Sequence, residues 1–146
     1  ESPFPYFEKV QECWDIHQAQ DLDATFLDDI IDGCGFEIIS QKALEISHEL
    51  GERKHRSELC TLYIRENSSK FRIFKQTPPQ NLVRKDLRLT VDNPEDLVVC
   101  RAVYYHFANL APRIPIEDIV KFLDANTILK ELVYPFTETG YSSMYL

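Results

Sequence analysis

The stretch Leu87-Arg88-Leu89-Thr90-Val91-Asp92-Asn93-Pro94-Glu95-Asp96-Leu97 decides the fold. Leu87 and Leu89 alternate with Arg88 and Thr90, the period-two pattern of a half-buried strand, and the run stops at a carboxylate. A helix is signalled at once behind it. Asn93 is a good N-cap, Pro94 suits the first helical position, and Glu95 and Asp96 set negative charge against the positive helix end. Asp92 is therefore expected at the C-terminal mouth of a strand, where open α/β sheets gather ligands and metals. A carboxylate held there suits magnesium, which takes hard oxygen donors. Arg88 faces away from its two leucine neighbours and is read as an ion-pair partner for an acidic neighbour.

Working outward, Pro5 to Gln20 predicts an amphipathic helix, with Phe7, Val10, Cys13, Trp14 and His17 recurring at three and four. A turn and short strand follow to Leu27. Asp28 to Gly35, with its Asp-Gly and Gly-Cys-Gly, reads as a loop, and Phe36 to Ile39 as a short apolar strand. Ser40 caps a helix from Gln41 to Leu50 that Gly51 closes, and a charged loop runs to Arg56. Ser57 is expected to cap a further helix to about Asn67. Phe71 to Lys75 alternates as a strand, and Thr77-Pro78-Pro79-Gln80-Asn81 breaks it.

Beyond the opening stretch, a helix from Pro94 to about Leu110 is expected to put Leu97, Cys100, Val103, Tyr104 and Phe107 on one face. Pro112 and Pro115 separate it from a helix over Ile116 to Ala125. The tail from Pro135 to Leu146 is aromatic but aperiodic. Four short strands interleaved with five helices give an α/β fold, a short mixed sheet flanked by helices. The chain starts Glu1-Ser2-Pro3, without Met and already close to a helix, which suggests a portion of a larger protein.

Composition narrows the function classes. A chain of 146 residues with 44% hydrophobic and 27% charged content suits one soluble domain. The net charge of −8, and no basic cluster longer than Arg53-Lys54-His55-Arg56, argue against a nucleic-acid partner. No apolar run approaches the ~20 residues of a membrane span and no signal peptide is seen, so a cytoplasmic protein without a membrane partner is expected. Cys13, Cys34, Cys60 and Cys100 form no Cys-x-x-Cys pair and read as buried thiols rather than zinc ligands.

The stretch 87–97 resembles the "LRLTVDTPEDL" segment of the cytidylyltransferases that activate sugars, with Asn93 in place of Thr. The resemblance is to the spore-coat polysaccharide biosynthesis type, related to the acylneuraminate and 3-deoxy-manno-octulosonate cytidylyltransferases. Looser matches follow in the same order as in that family. They are Gly35-Phe36-Glu37-Ile38-Ile39-Ser40, then Ser57-Glu58-Leu59-Cys60-Thr61-Leu62-Tyr63-Ile64 against "REHVTPYI", and Gly140-Tyr141 with Ser142 and Ser143. The resemblance implies the C-terminal part, residues 1–146, of a Rossmann-like nucleotide-diphospho-sugar transferase fold. It also implies a magnesium-dependent enzyme that makes a CMP-sugar from CTP, and a homodimer in contact through Gln41 to Lys75.

The same resemblance implies that Asp92 and Glu1 are magnesium ligands. Glu1-Ser2-Pro3 stands where the family has an acidic residue before x-Pro at the end of another central strand. Glu37, Arg56 and Glu58 are the implied sugar contacts. Against these stand plainer readings: Asp92 as part of a capping turn, Glu37 as a solvent-facing strand charge, and Glu58 with His55 and Arg56 as a charged helix start. Two departures stand out: the family's glycine- and arginine-containing phosphate loop is absent, and its "REH" triplet keeps only the glutamate, with His55 and Arg56 upstream to replace it. No nucleophile–base pair is visible, and direct attack of a substrate oxygen on the α-phosphate needs none. Alternative readings are a non-catalytic dimerisation or sugar-binding module of that fold, or a nucleotidyltransferase using another nucleoside triphosphate.

Overall fold

The computed structural model describes residues 1–143. Three strands form one mixed sheet in the order β2-β1-β3. Strand β1 (Ala24–Leu27) runs antiparallel to β2 (Phe36–Ile39), with Ala24 opposite Ile39 and Leu27 opposite Phe36. It runs parallel to β3 (Ile73–Lys75), with Ala24 opposite Ile73. All four residues of β1 are buried, so this central strand is covered on both faces and does not show polar–apolar alternation.

The helices supply that cover. On one face Ala24 and Phe26 pack with Ala43 of α2 (Gln41–Leu50), with Tyr63 and Ile64 of α3 (Leu62–Glu66), and with Phe71. On the other face, Thr25 meets the buried ring of His17 from α1 (Phe7–Ala19), with Nδ1 2.9 Å from the hydroxyl. Leu27 joins the larger apolar cluster there, with Ile30, Ile31, Leu89, Val99 and Val103. Ile116, Ile119 and Leu123 complete that cluster, each removed from water at roughly 1.5–3 kcal/mol of apolar transfer. They belong to α5 (Ile116–Ala125), which follows α4 (Pro94–His106) and precedes α6 (Thr127–Ser143).

Several sequence expectations are corrected. The strand expected over Leu87 to Val91 is an extended segment whose ladder is a single bridge, Asp32 to Arg88. Its neighbours are irregular chain: Leu89 N–H donates to Asp32 O (2.7 Å) and Val91 N–H to Glu1 O (2.7 Å), so no continuous ladder forms. Glu1 is likewise outside any strand. The helix expected from Ser57 begins only at Leu62: the Ser57 hydroxyl donates to Leu59 O instead of accepting from a helix amide, so it caps nothing.

On α4 the buried residues are Asp96, Val99, Cys100 and Val103, while Leu97 and Tyr104 are exposed. The tail is helical as far as Ser143 despite Pro135, since burial of Val133 and Thr137 against the core holds a helix that local propensity does not favour. Cys13, Cys34 and Cys100 are buried as expected, but Cys60 is exposed. Among the described residues no helix is long and apolar enough to cross a membrane.

Candidate functional site

The site is built where segment 87–91 turns into α4. Asn93 precedes Pro94 at the helix start, and the Asp96 carboxylate accepts from the backbone amides of Asn93 (2.9 Å) and Asp92 (3.0 Å). The helix N-terminus is thus satisfied from within, by the residue three positions after the cap. Asp96 is buried, so its charge needs a partner, and Arg88 Nε supplies one at 2.9 Å.

Arg88 is itself only 4% exposed and is shared among three carboxylates. Nε and Nη2 bond Asp96, Nη1 bonds Asp32 (2.5 Å), and Nη2 also bonds Asp92 (2.5 Å). Burial works against the guanidinium charge, but the Asp96 hydrogen bond and the fields of the carboxylates outweigh it and raise its pKa. The carboxylates respond unequally. Burial also pushes the Asp96 carboxyl up, yet its bonds from Arg88 and two backbone amides prevail and hold it below the usual carboxylate range. Asp32 is held above that range, because burial and the neighbouring charges of Asp92 and Asp96 exceed the help from Arg88.

A second arginine organises the opposite side. Arg65 of α3 forks onto Asp28 through two bonds (2.9 and 3.0 Å), bonds Glu37 of β2 (2.5 Å) and lies 4.0 Å over the Phe26 ring. Beside Asp32 and Arg65 lies a cleft of about 190 Å³, lined by these two residues with Ser2, Asp28, Gly33 and Glu37 among others. Gly33 has φ +87°, and a Cβ there would collide with the backbone of Leu89 and Thr90. The glycine lets segment 87–91 run directly against the loop.

Glu1 meets Asp92 through its main chain and not through its carboxylate: its N-terminal ammonium lies 3.6 Å from Asp92 Oδ1 and its carbonyl oxygen accepts from Thr90 Oγ1 (3.1 Å), while the Asp92 side chain is half-exposed. Glu37 lines the cleft with Ser2 and Asp32, while Asp92 and Glu1 are not among its lining residues. Arg56 and Glu58 do not join them. Both are exposed, and Arg56 lines a separate cleft of about 360 Å³ with Leu44, His48 and Cys60. His55 is committed elsewhere, with Nδ1 accepting from Glu52 N–H and Nε2 2.8 Å from Glu66. On the C-terminal motif, Gly140 packs beside Arg88 and Asp32, while the side chains of Tyr141, Ser142 and Ser143 lie outside the described residues.

Asp32, Asp96 and Asp28 were not singled out from sequence. Asp96 carries a local signal, the spacing of three from the helix cap, whereas Asp32 and Asp28 read only as loop residues. Among the described residues, no three or more His, Cys, Asp or Glu side chains are arranged to hold a metal by themselves. Magnesium takes hard oxygen donors of the carboxylate kind, yet both oxygens of Asp92 already face cations, Oδ2 the Arg88 guanidinium and Oδ1 the Glu1 ammonium.

No protein-family model matches the chain. An uncharacterised protein of Methanocaldococcus jannaschii is 28% identical over 132 residues, covering 90% of this chain and 54% of the relative. A solved cytidylyltransferase from Leptospira borgpetersenii superposes with a TM-score of 0.71 at 20% identity, over 84% of this chain and 52% of that one. The fold of this chain is similar to that of about half of this cytidylyltransferase. The chain spans about half the length of both proteins. At this identity the likeness speaks for the architecture rather than for individual side chains.

Proposed function

We propose that this chain is part of a nucleotidyltransferase of the cytidylyltransferase type, one that joins a sugar to CMP, with CTP as donor and pyrophosphate as product, for surface polysaccharide. The observation that supports this reading is the half-exposed Asp92 at the head of α4, joined through Arg88 to Asp32 in the wall of the cleft that holds Glu37, in a fold shared with part of a cytidylyltransferase. Magnesium, when bound by Asp92 and Glu1, would neutralise charge on the triphosphate, the main requirement of this kind of transfer. Glu37, half-buried and acceptor-only, offers lone pairs to sugar hydroxyls. Arg56 and Glu58 stand outside that cleft, so the sugar-contact role rests on Glu37.

A homodimer through Gln41 to Lys75 is part of the same reading, supported by the exposed Leu44 and Leu50 on α2. The test is pyrophosphate release from CTP and candidate sugars by a protein carrying this chain together with a phosphate-binding loop. Asp92→Asn is expected to lower the rate on the order of 10²–10³-fold, the range for removing one preorganised electrostatic stabiliser, while the melting temperature holds. Wild-type turnover in that variant would remove the metal role. Activity with UTP, dTTP or GTP in place of CTP would redirect the nucleotide assignment.

A further inference from the structure

The polar lining of the cleft beside Asp32 and Arg65 is rich in hydrogen-bond acceptors. Its guanidinium is committed to its own neighbours: Arg65 forks onto Asp28, bonds Glu37 Oε1 and donates from Nε to Thr61 Oγ1 (3.2 Å). Thr61 in turn donates to the same Glu37 oxygen (2.9 Å). Asp32, 7% exposed, takes Arg88 on Oδ2. Among the described residues, Glu37 Oε2 and Asp32 Oδ1 accept no hydrogen bond, so each of these lining carboxylates keeps one oxygen uncommitted. Neither oxygen is sealed in, because every fully buried side-chain oxygen among the described residues has a partner. Both open to water where their residues line the cleft. The charge there is unbalanced as well: Asp28, Asp32, Glu37, Asp92 and Asp96 share only the guanidiniums of Arg65 and Arg88.

Resting on the reading of Glu37 as a sugar contact, we propose that this cleft takes an uncharged sugar ring and turns sugar acids away. Hydroxyls of the ring donate to Glu37 Oε2 and Asp32 Oδ1, which as carboxylate oxygens can only accept. A carboxylate on the sugar would instead set like charge against like, with the one lining guanidinium already engaged. Arg56, a cation that could meet an acid, lines the separate cleft with His48 and Cys60. Leu27, Phe36 and Leu59 belong to the same lining as Glu37 and Asp32, and give the C–H faces of a ring an apolar surface. Apolar walls with a few placed polar groups are the usual make-up of a ligand site. At about 190 Å³ the cleft is smaller than the ~300–1,000 Å³ of such sites, so it holds a single ring and not a nucleotide as well.

The test uses matched probes that differ only in the exocyclic group: the methyl glycosides of glucose, galactose and mannose, and those of the corresponding uronic acids. Each is titrated into the isotope-labelled chain, and binding is read from the amide shifts of Gly33, Phe36 and Glu37. At least one uncharged glycoside should move these amides, with its uronate at least about tenfold weaker at low salt and the gap narrowing as salt is added. Glu37→Gln and Asp32→Asn each replace an acceptor oxygen by an amide that can donate. Either should raise uronate affinity, a gain that a misfolded variant cannot produce. Uronate binding by the wild type as tight as that of its uncharged partner overturns the exclusion of acids and leaves the cleft a sugar site. Uronate affinity unchanged in both folded variants removes these two oxygens as its cause. Amides that no glycoside moves overturn the sugar reading of the cleft itself, and this proposal with it.

Discussion

At the scale of single residues, the sequence announces Asp92 but not what holds it. The run ending at Asp92, the cap position of Asn93 and the charge of Asp96 are local signals, and the structure keeps all three. Arg88 is legible as an ion-pair partner for an acidic neighbour, and it pairs with Asp92 and Asp96, but its third partner Asp32 lies 56 positions away and no spacing rule links them. Gly33 shows the same limit. Sequence marks it as a loop glycine, while the reason for glycine is the backbone of Leu89 and Thr90 pressed against it. Gly33→Ala should cost ~1–3 kcal/mol from the φ of +87° alone, and more from that collision, read as a lower urea midpoint. An unchanged midpoint would mean that segment 87–91 does not depend on this approach.

At the scale of elements, helix starts and stops were largely readable and the sheet was not. The capped starts of α2 and α4 follow from Ser40 and Asn93, whose signals act within one turn. Segment 87–91 has strand periodicity but lacks a regular neighbour, so it pairs at single points only. What fixes it at its start is a charge network: Arg84 bonds Asp86 and Asp124 of α5, and Lys130 of α6 bonds Asp124 at 3.0 Å. The Arg84 hydrogen bonds hold Asp86 well below the usual carboxylate range and bring Asp124 down to about 2.

Depressed folded-state values mean that this stabilisation is complete above the unfolded carboxylate value near ~4 and is lost as the pH falls through the folded values. The wild-type melting temperature should therefore fall faster between about pH 4 and 2 than that of Arg84→Gln, and the two curves should converge at the acid end. The gap at neutral pH should be modest, at most ~1 kcal/mol per pair, because both carboxylates are more than a third exposed and screened by water. Parallel acid limbs would show that the network does not couple to folding.

At the scale of the whole molecule, β1 separates two apolar clusters and belongs to both, with Phe26 in one and Leu27 in the other. The chain should therefore unfold as one unit. Ile64→Ala in the smaller cluster and Ile119→Ala in the larger should each cost ~2–5 kcal/mol, since both side chains are fully buried. Each should move the far-UV and near-UV transitions together. Separate transitions in either variant would show that the clusters fold independently.

The sequence by itself determined the α/β class, most helices and the placing of Asp92 just ahead of a capped helix, because periodicity and capping act over a few residues. Only the tertiary structure decided which side chains share the site. It drew Asp32 and Asp96 onto Arg88, set Glu37 beside Arg65, placed Glu1 next to Asp92, and left Arg56 and Glu58 on another surface. The physical reason is that a buried charge must find its counter-charge in space. The partners that satisfy it come from loops and helices brought together only when the apolar clusters close around β1.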